Sequence, residues 1–168
     1  MPASMHRPVR RLAQLYAGLV LYGASMALQI RAGLGLDPWD VFHQGVTDRT
    51  GLSFGTVVII TGAIVLLAWI PLRQRPGFGT VSNVFVIGIA VDAALAALPH
   101  AGSAPAAVAM MLGGVGLNGI AGGAYIGAGL GPGPRDGLMT GLAARGHSIR
   151  VVRTGIELTV PRRAQTVS

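Results

Sequence analysis

The sequence predicts an all-α polytopic membrane protein: a bundle of transmembrane helices with four complete spans and a partial fifth. Composition is the first observation, because 51% of the 168 residues are hydrophobic and 11% are charged, whereas soluble domains average roughly 25% charged residues. The mean hydropathy is +0.58. The second observation is a series of apolar runs close to the ~20 residues that cross a hydrocarbon core. There is no cysteine, which excludes disulfides and thiolate metal sites.

The apolar runs define the elements in chain order. Residues 1–11 form a short basic tail, predicted to be cytoplasmic. Residues 12–30 are the first span, and we favour a retained helix over a cleaved signal peptide because further spans follow. A short helix lying at the membrane interface is predicted at residues 38–48. The complete spans that follow are predicted at residues 54–72, 79–98 and 105–126, the last capped by Ser103, and a partial fifth begins at residues 149–160.

A short polar stretch occurs twice in the chain, 96 residues apart. Residues 32–49 and 128–145 share eight identities in eighteen positions, and Gly18 and Gly23 recur upstream at the same offset. In both copies, glycines end one helix and a proline starts the next. In the first copy, Asp37 is placed to cap the helix that starts at this proline. Helix punctuation explains this pattern, and so does a ligand-facing loop between membrane helices; the sequence leaves both open.

The duplication predicts two repeat units and, with the arginine distribution, their orientation. Residues 12–98 form the first unit, with three transmembrane helices, and residues 99–168 form a second unit that lacks counterparts of later helices and is expected to be truncated. Arginines concentrate in the tail, in the loop 73–78 and beyond residue 130, so the N-terminus is predicted to be cytoplasmic. One copy of the stretch then lies outside and the other inside, which makes an incomplete inverted repeat of the kind common in transporters.

Five short motifs together resemble the YczE/YyaS/YitT-type family of bacterial integral membrane proteins. They lie at residues 31–40, 51–56, 75–80, 131–138 and 153–157. The resemblance covers residues 10–160 and implies a multi-pass protein of the bacterial inner membrane with five or six spans. It implies no particular reaction. The sequence departs from the family pattern after Val160, where a continued fifth helix is expected.

Asp92 is the strongest single candidate for a functional residue, because it lies inside the third span. A carboxylate at the centre of a membrane helix costs about 2.5–3.5 kcal/mol on insertion scales, so it usually faces protein or water. Asp92 is expected either to mark a proton- or cation-linked pathway, or to be a protonated acid that bonds to a neighbouring helix, or to snorkel outward. The other predicted pathway residues would flank a shared cavity, one set at each mouth: Arg31, Asp37 and Asp40 outside, and Arg135 and Asp136 inside.

The fourth span carries small residues at the spacing of close helix contacts. Gly119, Gly123 and Gly127 are predicted to pack against a neighbouring helix, with Asn118 able to hydrogen-bond across that contact. On the partial fifth helix, Arg153 and Glu157 are four residues apart and are expected to pair.

Other chemistries find no support in the sequence. The glycines at residues 127–133 follow no predicted strand, so they are not a dinucleotide fingerprint, and no Walker motif is present. The four histidines are scattered, and the arginines follow membrane topology rather than a nucleic-acid surface. We therefore expect no enzyme activity, cofactor, metal or nucleic-acid partner, and expect the lipid bilayer and a second copy or another membrane protein as partners.

Two classes of function remain open. The first is a small-solute or ion transporter built on inverted repeats. The second is a non-transporting membrane protein that regulates or scaffolds partners, and an inactive fragment is a further reading of this chain. A polar cavity at the interface of the repeats would favour transport, whereas sealed apolar packing there would favour the second class.

Overall fold

A computed structural model of the chain describes residues 6–143, and all regular structure within that range is helical, with no strand. The predicted all-α class is therefore confirmed. The partial fifth span at residues 149–160 and the predicted pair Arg153–Glu157 lie outside the described residues. The six helices are α1 (His6–Ala32), α2 (Pro38–Thr50), α3 (Phe54–Ala68), α4 (Phe78–Ala97), α5 (Ala104–Gly127) and α6 (Pro134–Ala143).

Three of these helices, α1, α4 and α5, are long and apolar enough to cross a membrane. Helix α3 has 15 residues, which is about 22 Å at 1.5 Å per residue, and it ends before the predicted limit at residue 72. Its end is anchored because Trp69 Nε1 donates a hydrogen bond of 3.0 Å to the carbonyl oxygen of Pro134. Helices α2 and α3 meet at a bend of 117°. The described residues therefore contain three candidate membrane spans, or four if α2 and α3 form one broken span, and the predicted four complete spans stay a prediction.

Helix α1 is the centre of the bundle, with α4 and α5 packed against it. Helix α4 runs parallel to α1, because Tyr16 faces Ser82 near one end and Gly23 contacts Val91 further along both helices. The buried apolar core follows this arrangement and consists of Leu15, Leu19, Met26, Ala27, Phe54, Ile87, Val91, Tyr125 and Ala128.

Helix α5 runs antiparallel to α1. Gln14 Nε2 donates to the carbonyl oxygen of Ala124 at 2.9 Å. Asn118 Nδ2, one and a half turns earlier in α5, donates to Ser25 Oγ at 3.1 Å. Asn118 therefore does bond across a helix contact, and the helix it reaches is α1.

Glycines allow the backbones of α1 and α5 to approach closely. A Cβ atom on Gly18 would lie 2.7 Å from the backbone nitrogen of Tyr125 and 3.1 Å from the carbonyl oxygen of Ala121, and one on Gly114 would lie 3.1 Å from the carbonyl oxygen of Ser25. Gly114 follows Gly18 by 96 residues, as Ala121 follows Ser25. The same contact therefore occurs twice, with the roles of the two helices exchanged.

The predicted packing face of α5 has few neighbours in the described part of the chain. Gly119 and Gly123 have no atom within 4 Å of a built Cβ, and Gly127 has only Gln14 Nε2 at 3.0 Å. Packing of these three glycines against another helix therefore stays a prediction.

Candidate functional site

The chain turns back along α1 before α2 begins. Asp37 lines a cavity together with Tyr22 and Met26, although Tyr22 precedes the end of α1 by ten residues, or about 15 Å of helix. Gly33 and Gly35 make this turn with φ angles of 67° and 137°, a region that favours glycine. The helix predicted at residues 38–48 is thus present as α2, but its first turn faces into the bundle instead of lying along a membrane surface.

The second copy of the polar stretch has glycine φ angles close to those of the first. Gly129 and Gly131 have φ angles of 63° and 127°, close to the 67° and 137° of Gly33 and Gly35. Helix α6 then begins at a proline, as α2 does. The two copies are alike in conformation as well as in sequence.

The first turns of α2 and α6 meet. Arg135 Nη1 lies 4.0 Å from Asp37 Oδ2, and the guanidinium carbon of Arg135 lies 5.9 Å from the centre of the Trp39 ring. Charged residues of the two copies thus lie next to each other, and the placement of one set at each mouth of a shared cavity stays a prediction. Both loops turn towards the bundle, and neither the arginine distribution nor the residue spacing predicts this direction.

A cavity of about 110 Å³ lies where the two first turns meet, several times the ~10–15 Å³ needed for one water molecule. Four of the predicted pathway residues line it: Asp37, Asp40, Arg135 and Asp136. Within residues 6–143, its charged side chains are three carboxylates and one guanidinium, so their formal charge is negative. The polar and aromatic side chains beside them are Tyr22, Trp39, His43, Thr61, Asn83 and Tyr125.

The three carboxylates have different partners. Asp37 caps α2 as predicted, because its Oδ1 accepts hydrogen bonds from the backbone nitrogens of Trp39 at 2.8 Å and Asp40 at 3.0 Å. Asp136 Oδ2 accepts from the Tyr125 hydroxyl at 2.9 Å. Asp40 is 4% exposed, and its Oδ1 lies 3.4 Å from His43 Nδ1. Asp40 is thus the most buried of the three.

Asp92 and Arg31 lie away from this cavity. The carboxylate of Asp92 accepts hydrogen bonds from Ser53 Oγ at 2.5 Å and from the backbone nitrogen of Gly55 at 2.7 Å, which places it at the positive end of α3. Asp92 is thus bonded to a neighbouring helix, the structural one of its predicted roles. Arg31 donates to the carbonyl oxygen of Leu95 and contacts the His100 ring. A pathway role for either residue stays a prediction.

The sequence did not single out several residues of the cavity. Asn83 and Tyr22 were missed, although a polar side chain within an apolar span is a signal that could have found them. His43 was considered only with Asp40 as a weak pair of metal ligands, and among the residues the structure describes no group of three or more potential ligands occurs.

A helical bundle with three or four apolar helices long enough to cross a membrane is the architecture of a multi-pass membrane protein. Within that class, the chain belongs to the family of unknown function DUF6198, whose model matches residues 9–166.

The chain is also similar to three curated proteins. An uncharacterized protein of Haemophilus influenzae is 34% identical over 152 residues, covering 90% of this chain and 70% of the relative. The uncharacterized membrane protein YczE of Bacillus subtilis is 35% identical over 156 residues, covering 90% and 72%. Protein YyaS of the same organism is 28% identical over 76 residues, covering 45% and 38%. The family resemblance is thus confirmed, and no solved structure matches the chain.

Proposed function

We propose that the protein is a transporter for a small polar solute, that it is built on an inverted repeat, and that the cavity between α2 and α6 is its substrate site. The observation that carries this proposal is the meeting of Asp37 and Arg135, which are 4.0 Å apart and belong to the starts of two short helices. Interrupted helices whose first turns point at a central site are a feature of transporters with inverted repeats.

The packing of α1 against α5 supports the inverted repeat. Helix α1 is the first helix of the first repeat unit, and α5 is the first helix of the second. They run in opposite directions, as a two-fold axis in the membrane plane requires. The contacts of Gly18 with Ala121 and of Gly114 with Ser25 are the pair that such an axis would generate. The matched φ angles extend the equivalence into the loops.

The proposed arrangement gives each short helix a side of the membrane. With the N-terminus in the cytoplasm of a bacterium, α1 ends at the outer face, and the loop 33–36 descends from there into the bundle. Helix α2 then returns to the outer face, where α3 begins. Helix α6 mirrors this course from the cytoplasmic face.

The charges in the cavity favour transport over scaffolding. Charged side chains within a membrane bundle are costly, and they usually line substrate or ion pathways. A sealed apolar contact between the two units would serve a scaffold equally well without that cost. The approach of Arg135 to Asp37 across the cavity provides a contact that a substrate can compete with.

Flux through sealed liposomes tests this function. The purified full chain is reconstituted, and uptake of a panel of small labelled cations, anions and neutral solutes is measured. Asp136→Asn is expected to slow uptake of the transported solute about tenfold, which corresponds to 1.4 kcal/mol. Asp48→Asn is the matched control, because Asp48 is exposed on α2 and outside the cavity. Uptake equal to that of protein-free liposomes for every solute would refute the proposal.

A further inference from the structure

We propose that the cavity binds a small organic cation that carries N–H groups, such as an ammonium or guanidinium ion. This inference rests on the proposed transport site and adds the class of its substrate. Three features of the cavity lead to it: its charge, an unpartnered imidazole nitrogen and its aromatic walls.

The charge balance of the cavity favours a positive ligand. Among the residues that the structure describes, Asp37, Asp40 and Asp136 line the cavity with one cation, Arg135. The first turns of α2 and α6 add positive potential of roughly half a charge each, and Asp37 and Asp136 lie at those two ends. Roughly one negative charge remains in excess. Asp40 is 4% exposed, so its carboxylate has little contact with solvent, and a cation bound in the cavity would compensate the excess charge.

The imidazole of His43 indicates what hydrogen bonds the ligand makes. His43 is 7% exposed and lines the cavity. Its Nδ1 faces Asp40 Oδ1 at 3.4 Å, and opposite an ionised carboxylate, which only accepts, Nδ1 carries the hydrogen. In that neutral tautomer Nε2 is an acceptor, and among the described residues this buried atom has no hydrogen-bond partner. A ligand N–H group that reached Nε2 would give this acceptor a partner.

The aromatic walls show how a planar or tetrahedral cation would be held. The Trp39 ring already takes the guanidinium of Arg135, at 5.9 Å from its centre, which is within the range of cation–π attraction. Arg135 thus occupies one cation position of the cavity and competes with any incoming cation for Trp39 and Asp37. In the described residues no cluster of three metal-ligating side chains occurs, so the donor set suits N–H groups better than a bare metal ion.

Calorimetric titration of the purified full chain in detergent tests this inference. Methylammonium chloride and guanidinium chloride, at millimolar concentrations, are the cation probes, and the acetate salt of the bulky cation N-methylglucamine is the anion probe. We expect both small cations to bind and acetate not to bind. Arg135→Gln is expected to strengthen cation binding about tenfold, a change of 1.4 kcal/mol in binding free energy, because the internal competitor is removed.

Asp40→Asn is expected to weaken cation binding about tenfold, and Asp48→Asn on the exposed face of the same helix is expected to leave it unchanged. Size-exclusion elution checks the fold of each variant. If Asp40→Asn does not fold, the comparison of cations with acetate and the Arg135→Gln variant decide the question.

The outcomes separate this inference from the proposed function. Acetate binding without cation binding, no binding of any probe, or cation binding that Asp40→Asn leaves intact would each overturn the inference. Cation binding without uptake into liposomes would leave the site in place and refute transport. Uptake of an anion or neutral solute by a chain that binds no cation would refute the cation site and support transport.

Discussion

At the scale of single residues, two carboxylates of this chain lie among apolar helices in very different surroundings. Both oxygens of Asp92 receive hydrogen bonds from the start of α3, from Ser53 and Gly55. Asp40 is more deeply buried, and its recorded partner is the His43 imidazole. Asp92 therefore stabilises a helix end, whereas Asp40 has unused capacity for a ligand.

Removal of the Asp92 carboxylate tests its structural role. Asp92→Ala is expected to destabilise the protein by about 1–2 kcal/mol, the usual cost of a lost helix cap, and to lower the midpoint of thermal unfolding in detergent, followed by circular dichroism. Asp48→Ala removes an exposed carboxylate from a helix and serves as the control. A variant lacking the Asp92 carboxylate that unfolds like the parent but takes up no solute would instead support the pathway role.

At the scale of elements, α5 packs against α1 through a glycine that the predicted series of Gly119, Gly123 and Gly127 did not include. Small residues recur around much of α5, and lipid on the outside gives no polar periodicity from which to choose a face. The structure places the contact with α1 at Gly114, while Gly119 and Gly123 have no neighbour within 4 Å among the described residues. A second copy or another membrane protein remains our proposed partner for that face.

A pair of glycine-to-valine variants distinguishes the two faces. Gly18→Val is expected to cost about 1–3 kcal/mol, the usual cost of overpacking, and to lower the thermal midpoint, because it forces α1 from α5. Gly123→Val carries the same helix-propensity cost and is expected to leave the midpoint of the isolated chain nearly unchanged. Should Gly123→Val be as damaging as Gly18→Val, or should it reduce the particle size in size-exclusion chromatography, a partner helix covers that face.

Much of the helix pattern was predictable from local chemistry. The spans α1, α4 and α5 follow from apolar length, and the caps Asp37 and Ser103 form as predicted. The inward course of the two loops was not predictable. A proline and a cap residue mark where a helix begins, but its depth depends on the contact of Asp37 with Arg135, 98 residues away in the chain.

At the scale of the whole molecule, the cavity belongs to both copies of the repeat. Asp37, Trp39 and Asp40 come from the first copy, and Arg135 and Asp136 come from the second. Neither copy alone would have the balance of charge that the cavity has. The proposed site therefore depends on how the two units are oriented in the membrane.

Labelling of single cysteines tests that orientation, and the chain suits it because it contains no cysteine. Thr50→Cys and Thr140→Cys introduce thiols at exposed positions towards the ends of α2 and α6. In intact cells, a membrane-impermeant maleimide is expected to label residue 50 at once and residue 140 only after permeabilisation. Equal labelling of both positions in intact cells would rule out the inverted arrangement.

The close contact of α1 with α5 limits how the two units can move against each other. A built Cβ at Gly18 already lies 2.7 Å from the backbone of Tyr125, so a slide by one residue would drive larger side chains into that backbone. A motion of the two units that preserved this contact would therefore have to keep α1 and α5 in register.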